Sequence, residues 1–380
     1  MTAEYVGVHQ HTVLAWRGGA ARIARMLDGA VQAAGWETAF TCEIADDGAT
    51  PVAVPPDNLT EGHLLHLHGA QNWNACLRSV VSRGIAPLIT LHDCSLLTGG
   101  CPYPLTCSGL RNGCPEPCPR GFPSAASVQR ERRAALMEAT DSGALLVSPS
   151  RWLRHLVQES LPEVPCRHIP NGVEAPYFSM RSDGAARAER EAARARFGLT
   201  PQARLVLFMA HGGEAAAYKS GDRWHALWQQ IQQQVPGAVC YMVGGESVRK
   251  NGSVLYWPYV NRETARQFMS AADCFAYPSL ADNHPLVVLE ALSLGCPVVA
   301  FAVGGIPEQI VHGVSGALVP AGRWQDFSAA CVDLLRDSAA RRAFARGGRD
   351  VFRRSFTQER MAREYIALYT ERGLRGAGER

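Results

Sequence analysis

Residues 278–300 read PSLADNHPLVVLEALSLGCPVVA, which is a loop followed by two apolar runs. Pro285 favours the start of a helix and Gly295 its end, so the pattern predicts a helix between them and a strand after it. Asp282 lies in the loop and Glu290 inside the apolar helix. A buried carboxylate without a partner is costly, so these two acids indicate a ligand site.

Strand-like and helical runs alternate outward from this segment along the whole chain. The predicted strands are 5–10, 63–68, 85–92, 144–148, 166–169, 204–210, 238–243, 254–257, 273–277 and 297–302. The predicted helices are 23–34, 151–160, 222–234, 262–272, 286–294, 323–336, 339–354 and 357–371. Alternation in two blocks predicts an α/β protein with two doubly wound, parallel-sheet (Rossmann-like) domains that face a deep cleft.

A polar stretch rich in Ala and Arg, residues 173–203, separates the two blocks. We therefore expect an N-terminal domain at 1–175, a C-terminal domain at 200–355 and a C-terminal helix at 356–380. In parallel sheets of this kind, ligands bind beyond the carboxyl ends of the strands. The loops that follow strands are therefore the places to look for chemistry.

The composition is that of an ordinary globular chain. Its 380 residues are enough for two domains, and 47% hydrophobic with 19% charged residues excludes a largely disordered or fibrous protein. No stretch approaches the roughly 18 apolar residues of a membrane-spanning helix. The first residues lack the pattern of a signal peptide, which predicts a cytoplasmic protein whose twelve cysteines are mostly reduced.

The charge is unevenly distributed. A net charge of +3 gives no reason to expect nucleic-acid binding, but residues 341–380 hold eleven Arg against five acidic residues. This basic end is either the solvated face of helices or a peripheral contact with the inner face of an anionic membrane. Lysine occurs only at Lys219 and Lys250.

Three strand-end loops hold candidate site residues. Gly18 and Gly19 precede a helix, where exposed N–H groups could meet an anion or simply form a tight turn. His92 follows an apolar strand, where a histidine is either structural or ligand-facing. Lys219 follows the strand 204–210 and could neutralise phosphate charge.

The 278–300 segment offers a fuller set of groups. Asp282 can accept hydrogen bonds from sugar hydroxyls, and Glu290 can bind the diol of a ribose. The free N–H groups at the start of the helix point toward the same edge.

Residues 98–119 form a loop rich in cysteine and proline, which contains Cys101, Cys107, Cys114 and Cys118. Four thiolates could hold a structural tetrahedral Zn²⁺, although the spacing is not that of a standard zinc finger. Two disulfides or four free thiols are the alternatives. Because the loop has few apolar residues, we expect a crosslink to order it.

These motifs together resemble the family 4 glycosyltransferases of the GT-B fold. The family pattern is two acids separated by seven residues, a small-residue helix and Gly-x-Pro-Val-Val-Ala. Further matches are the loop at Gly18-Gly19, Thr90-Leu91-His92, Ser148-Pro149-Ser150, Ile169-Pro170-Asn171-Gly172-Val173, Lys219, Val303-Gly304-Gly305 and Gly313-x-x-Gly316. The cysteine loop resembles an insertion in a subset of bacterial polysaccharide glycosyltransferases.

The resemblance implies a retaining transferase in bacterial polysaccharide or glycoconjugate biosynthesis. Its donor would be a UDP- or GDP-sugar bound by the C-terminal domain, and its acceptor a glycan or lipid-linked molecule on the N-terminal domain, against which helix 356–380 would pack. Catalytic roles would fall to His92, Lys219 and Asp282. Donor contacts would come from Gly18, Gly19, Lys219, Tyr259, Val260, Asp282, Asn283, His284, Pro285, Leu286 and Glu290. No cofactor is required for catalysis, and the only metal expected is the structural Zn²⁺.

The chain departs from the family pattern at two positions. The first acid is usually Glu, whereas here it is Asp282. The family also has an Arg a few residues before the lysine, and this chain has none there. Arg249, Arg17 or Arg223 could supply that charge.

Two other functions fit the same sequence. One is a nucleotide-sugar epimerase of the GT-B fold. The other is a catalytically degenerate scaffold that binds without turnover, which the two departures favour and the presence of His92, Lys219 and Glu290 opposes.

Overall fold

The computed structural model describes residues 4–45, 59–174 and 183–375. They form two compact units, of which the first combines Met1–Gly172 with Gln358–Arg380 and the second is Val173–Thr357. Residues 175–182 of the predicted linker and 376–380 of the predicted C-terminal segment lie outside the described residues.

The first unit is built on a parallel sheet of six strands. In chain order they are β1 Gly7–Leu14, β2 Glu37–Ile44, β3 His63–Leu67, β4 Leu88–Thr90, β5 Leu145–Ser148 and β6 Cys166–His168, arranged β2-β1-β3-β4-β5-β6. Its helices are α1 Gly18–Ala33, α2 Trp73–Ser82, α3 Gly109–Asn112, α4 Ala125–Asp141, α5 Arg151–Ser160 and, from the end of the chain, α13 Gln358–Glu371. Strand order reverses beside β1, so β1 and β3 flank the point where such sheets bind ligands.

Strand β2 was missed in the sequence. Glu37–Ile44 pairs with β1 as an edge strand, and only Cys42 within it is buried. Its alternation of polar and apolar residues is weak compared with the apolar runs of the inner strands. The sheet therefore has one more strand than the sequence predicts for this region.

The end of the chain completes the first unit. Helix α13 contributes the buried side chains of Tyr365 and Tyr369. Beyond the helix, the Tyr5 N–H donates to Gly373 O (2.9 Å) and the Arg375 N–H donates to Tyr5 O (3.0 Å). Residues near both ends of the chain are thus joined by backbone hydrogen bonds.

The second unit is built on a sheet of seven strands. They are β7 Leu205–Met209, β8 Val239–Gly245, β9 Arg249–Asn251, β10 Val254–Pro258, β11 Cys274–Tyr277, β12 Val298–Phe301 and β13 Gly316–Val319. Their order is β13-β12-β11-β7-β8-β10-β9, and every pairing is parallel except that of β9 with β10. The α-helices are α6 Asp183–Arg196, α7 Gly221–Gln234, α8 Arg262–Ala271, α9 Leu286–Leu294, α10 Ile306–Gln309, α11 Trp324–Arg336 and α12 Ser338–Ser355.

Apolar side chains cover both faces of this second sheet. In β7, Leu205 and Leu207 join one core while Val206 and Phe208 join the core on the other face. Parallel strands buried on both sides read as continuous apolar runs, which is why the sequence located most of them.

The second unit begins earlier than the sequence predicts, at Val173 and not near residue 200. The Ala/Arg-rich stretch is helix α6, because alanine and arginine are strong helix formers. Arg190 and Arg194 on this helix donate to Asp273 (2.8 and 3.3 Å), which fixes α6 to the second sheet. No helix among the described residues is long and apolar enough to cross a membrane.

Candidate functional site

Three polar side chains of the second unit meet at the carboxyl edge of its sheet. Lys219, from the loop after β7, donates to the carboxylate of Asp282, in the loop after β11. Lys219 Nζ also donates to the hydroxyl of Tyr277 (2.7 Å), the last residue of β11, and that hydroxyl donates to Asp282 (2.5 Å). The Lys219 and Asp282 side chains are 26% and 10% exposed, so the pair is largely screened from water but still accessible.

Hydrogen bonds between the two loops hold this cluster together. The Ser220 hydroxyl donates to Pro278 O (2.7 Å), and the Leu280 N–H donates to Tyr218 O (2.7 Å). The Ser279 hydroxyl adds a third link, to Tyr218 O (3.2 Å). The positions of Lys219 and Asp282 are therefore set by backbone contacts on both sides.

Gly304, in the loop after β12, lets that loop support Asp282. A Cβ atom at Gly304 would lie 1.7 Å from Asp282 O, and Gly304 has a φ of +55°. The Gly305 N–H donates to the same oxygen (3.2 Å). Only glycine fits this position, which explains the first glycine of the Gly304-Gly305 pair.

The segment after Asp282 leads directly into helix α9. Asn283 and His284 are buried, Pro285 is the N-cap and Leu286 is the first residue of the helix. Gln309 Nε2 lies 3.0 Å from His284 Nδ1 and donates to Pro285 O (3.1 Å), which fixes the entry to the helix.

Glu290 lies at the centre of α9 and is 7% exposed. The structure thus brings Lys219 and Asp282 together and places Glu290 on the helix that starts beside them.

Tyr259 and Val260 follow β10. Tyr259 is 60% exposed, and its ring lies 5.9 Å from that of His211 in an edge-on arrangement. Val260 packs against the core of the unit. Of the two, Tyr259 is the side chain available to a ligand at this edge.

The three candidates for the missing arginine lie in different places. Arg249, on β9, pairs with Glu214 in the loop after β7 and lies 3.4 Å above the ring of Tyr256. The guanidinium of Arg223, on α7, lies over Trp324 (5.1 Å). Arg17 belongs to the first unit, as the N-cap of α1. Arg249 is therefore the one tied to the loop where the family places its arginine.

His92 lies in the first unit, two residues beyond the end of β4. It lines a cavity of about 160 Å³ together with residues from the carboxyl ends of β1 and β3, among them Val13 and His68. Asp93 lines it too, and burial raises the pKa of that carboxyl even though the Ser95 N–H (2.7 Å) and Arg132 oppose the rise.

A chain of hydrogen bonds sets the tautomer of His92. Gln10 Nε2 donates to the Tyr369 hydroxyl (3.2 Å), so its Oε1 accepts from His68 Nε2 (2.8 Å). Neutral His68 must then accept at Nδ1, where His92 Nε2 lies 3.0 Å away. His92 therefore donates from Nε2 and carries its lone pair on Nδ1.

Burial keeps these imidazoles uncharged at neutral pH. It lowers the pKa of His92 to about 4. Burial, followed by repulsion from His66, His92 and His11, lowers the pKa of His68 well below its usual value. At neutral pH His92 is therefore an uncharged imidazole that donates to His68 from Nε2 and can accept a hydrogen bond at Nδ1.

Gly18 and Gly19 open helix α1, and Gly18 has a φ of +87° that favours glycine. They follow β1, at the same carboxyl edge of the sheet as His92. Both belong to the first unit, whereas the Lys219 cluster belongs to the second.

The cysteine loop is held by helix α4. The buried Gln129 side chain donates to Leu97 O and Gly109 O (3.0 Å each) and accepts from the Cys114 N–H (2.5 Å). Arg132 donates to Thr98 O (3.0 Å). Side chains of one helix therefore help to order the backbone of this loop.

Cys101, Cys107, Cys114 and Cys118 are free thiols in this structure. Across 4–45, 59–174 and 183–375, no three His, Cys, Asp or Glu side chains are grouped so as to hold a metal ion. Disulfides are thus not seen, and zinc in this loop stays a prediction.

Two features of the site were not found in the sequence. In the sequence, Tyr277 looks like an ordinary strand residue. Its place at the carboxyl end of a strand could nevertheless have marked it as a candidate site residue. The hydrogen-bond chain from Tyr369 to His92 was also missed. Its signal is His63, His66 and His68, since repeated histidines are unexpected in an otherwise apolar strand.

Comparison with known proteins gives sequence matches to part of the chain. Residues 206–337 match the family model of the group 1 glycosyl transferases. D-inositol 3-phosphate glycosyltransferase of Mycobacteroides abscessus is 32% identical over 163 residues, which cover 39% of this chain and 35% of that protein. The Geodermatophilus obscurus protein of the same name is 31% identical over 221 residues, covering 53% and 46%. The match thus spans less than half the length of these relatives.

Solved structures match nearly the whole chain. Sucrose-phosphate synthase from Thermosynechococcus elongatus superposes with a TM-score of 0.72 at 18% identity and covers 96% of this chain and 98% of its own. Anabaena HepE in complex with UDP-glucose has a TM-score of 0.69 at 16% identity and covers 96% and 99%. These likenesses show the fold, so the GT-B architecture of two Rossmann-like domains is confirmed.

Proposed function

We propose that the whole chain is a retaining glycosyltransferase, because residues 206–337 match the family model of the group 1 glycosyl transferases. It transfers a sugar from a UDP- or GDP-sugar to a glycan or lipid-linked acceptor, in the synthesis of a surface polysaccharide or other glycoconjugate. The cluster of Lys219, Tyr277 and Asp282 carries this proposal, since it lies inside the matched residues at the ligand-binding edge of the sheet.

The donor diphosphate binds Lys219 and the N–H groups that open α9. Both are positive, and the negative charge of the leaving diphosphate grows during transfer. The Lys219 ammonium must turn from Asp282 toward the phosphate, so the pair seen in the structure is the resting state of the site. Asp282, released in the same movement, accepts hydrogen bonds from the sugar hydroxyls.

Glu290 binds the ribose of the nucleotide, and Tyr259 with Val260 flanks its base. A buried carboxylate accepts the two hydroxyls of a diol well, because both bonds are charge-assisted. The HepE structure contains UDP-glucose, which makes UDP-sugars the first donors to test.

His92 contributes as a neutral imidazole. Its Nδ1 lone pair accepts a hydrogen bond from a hydroxyl of the transferred sugar, while His68 fixes the ring through Nε2. The cavity around His92 in the first unit is the place for this contact.

Arg249 supplies the positive charge that the missing arginine supplies in the family. It lies beside the loop after β7 through its pair with Glu214, and both side chains are about half exposed, so the pair can rearrange at little cost. Contact of the arginine-rich end of the chain with an anionic membrane stays a prediction.

The test is to incubate the protein with UDP-glucose, UDP-N-acetylglucosamine and GDP-mannose, with and without a bacterial lipid extract as acceptor. Release of UDP or GDP and NMR of the sugar product report the reaction. We expect nucleotide release to be stimulated by the acceptor, lost in Lys219→Ala and retained in Lys250→Ala, whose side chain is exposed on β9.

Other outcomes would contradict the proposal. An epimerised nucleotide sugar without transfer would assign the epimerase function. Binding of a donor without any turnover would assign the scaffold function, and failure to bind any of them would remove the donor site.

A further inference from the structure

The second unit contains a cavity of about 350 Å³ that is larger than the one beside His92 and lies away from Lys219. It is formed by α6, the ends of α8 and α9, and α12, and we call it the arginine groove. The cationic side chains that line it are Arg187, Arg190, Arg342, Arg346 and Arg349.

The arginine groove lies at the opposite edge of the sheet from the donor site. It continues into a second hollow of about 290 Å³ that is lined by Arg204, Asp273 and Pro297. Each of these residues directly precedes a parallel strand, β7, β11 or β12. The groove therefore opens at the amino ends of the strands, and the proposed donor site uses none of its residues.

The arginine groove carries more positive than negative charge. Among the described residues that line it, Glu189 is the one acidic residue, and Glu189 already pairs with Arg266 (2.6 Å). Asp273, in the second hollow, is engaged by Arg190, Arg194 and Arg341.

Three of the arginines lie on one face of α12. Arg342, Arg346 and Arg349 follow the spacing i, i+4, i+7 that aligns side chains along a helix. Arg342 donates to the Ser338 hydroxyl (3.3 Å) and lies near the carboxylate of Asp337, and no described residue makes a hydrogen bond or ion pair with Arg346. Arg349 packs against Gly295, where a Cβ atom would lie 2.2 Å from its Nη1. The absence of a side chain at Gly295 therefore leaves the space that the Arg349 guanidinium occupies.

The floor of the arginine groove is apolar. It includes the buried Met269 and Ala272 together with Leu294 and Ala345. A cationic wall over an apolar floor suits a ligand with an anionic group and a less polar body. Guanidinium groups match phosphate oxygens in geometry, and the volume lies within the roughly 300–1,000 Å³ of small-molecule sites.

We propose that the arginine groove binds a small phosphate ester as a second ligand site of this protein. Arg342, Arg346 and Arg349 hold the phosphate, and the organic body lies on the floor. Arg187, which pairs with Glu191 on α6 (2.9 Å), adds positive charge at the opposite wall. The ligand is a soluble molecule, since a cavity with a floor and walls on both sides surrounds it more fully than a flat membrane surface requires.

The test measures binding of phenyl phosphate and inorganic phosphate by calorimetry at fixed ionic strength. The variant is Arg342→Ala with Arg346→Ala, two exposed side chains whose loss leaves the core intact. The matched control is Arg354→Ala, which is exposed on the same helix outside the groove. UDP binding is measured in each protein to show that the second unit is folded.

We expect phenyl phosphate to bind more tightly than inorganic phosphate, because only the former contacts the floor. The double variant should weaken phenyl phosphate binding at least tenfold, while Arg354→Ala and UDP binding stay at the wild-type level. Equal phenyl phosphate affinity in all three proteins would overturn the proposal. So would binding to phosphatidylglycerol vesicles without binding of either soluble phosphate, which would make the groove a membrane contact.

Discussion

The pair between Lys219 and Asp282 makes a quantitative prediction about donor affinity. A charge-assisted hydrogen bond to a diphosphate is worth roughly 1.5–3 kcal/mol. In the wild type, Lys219 must first leave Asp282, a largely buried partner, so we expect the lower end of that range. Lys219→Ala should then raise the Kd for UDP about tenfold, since about 1.4 kcal/mol corresponds to a factor of ten.

Asp282→Asn changes this expectation in a defined direction. Without the carboxylate, Lys219 is free for the phosphate. Adding Lys219→Ala to Asp282→Asn should therefore cost the upper value of about 3 kcal/mol in UDP binding, which raises the Kd roughly 100-fold. UDP alone should bind Asp282→Asn at least as well as the wild type, while sugar transfer falls.

The assay is UDP calorimetry on the wild type, the two single variants, the double variant and Lys250→Ala. Thermal unfolding checks that each protein is folded. The reasoning is refuted if Lys219→Ala binds UDP as well as Lys250→Ala does. It is also refuted if Lys219→Ala weakens UDP binding equally in the wild type and in Asp282→Asn. Asp282 and the diphosphate would then not compete for Lys219.

Three further predictions concern other parts of the molecule. Glu290→Gln keeps the shape of the side chain but should weaken UDP binding, because an amide oxygen accepts hydrogen bonds from ribose hydroxyls less strongly than a carboxylate does. Equal UDP affinity of the variant and the wild type in calorimetry would remove Glu290 from the ribose site. The pKa of His92 is lowered to about 4, so below pH 6.5 the unfolded chain binds a proton that the folded imidazole does not. Through this imidazole, the free energy of unfolding of the first unit should fall by about 1.4 kcal/mol per pH unit as the pH falls toward 4. Urea unfolding between pH 7 and 5 measures this, and a flat profile would contradict the burial of His92 as a neutral group. Gln129→Leu should loosen the cysteine loop more than Cys107→Ser in hydrogen exchange, because it removes three hydrogen bonds; the reverse order, with one zinc per chain in metal analysis, would establish the zinc site instead.

Regular patterns in the sequence located most of the fold. The inner strands are apolar on both faces, and helices such as α11, α12 and α13 lie within two residues of their expected bounds. Edge strand β2 and the extent of the second unit were not predicted, because a half-buried strand gives a weak signal and an Ala/Arg-rich helix resembles a linker in composition.

The site was predictable in its residue types and not in its contacts. Lys219, Asp282 and His92 each follow an apolar strand, which is enough to place them at a ligand-binding edge. That Lys219 pairs with Asp282, and that a tyrosine in the last helix orients His92 through two intermediates, depends on residues distant in sequence. The arginine groove could not be predicted from the sequence either, because its charged side chains come from helices more than a hundred residues apart.

The first unit is interrupted in sequence by the second, and this has a consequence for synthesis on the ribosome. Residues 173–357 are all made before α13, so the second unit has its full sequence while the first still lacks its final helix. Until Tyr365 and Tyr369 arrive, Gln10, His66 and Thr90 have no hydroxyl partners from α13 for their buried polar groups. The usual order, in which the amino-terminal domain matures first, is therefore reversed here, and the nascent first unit must wait for the last residues of the chain.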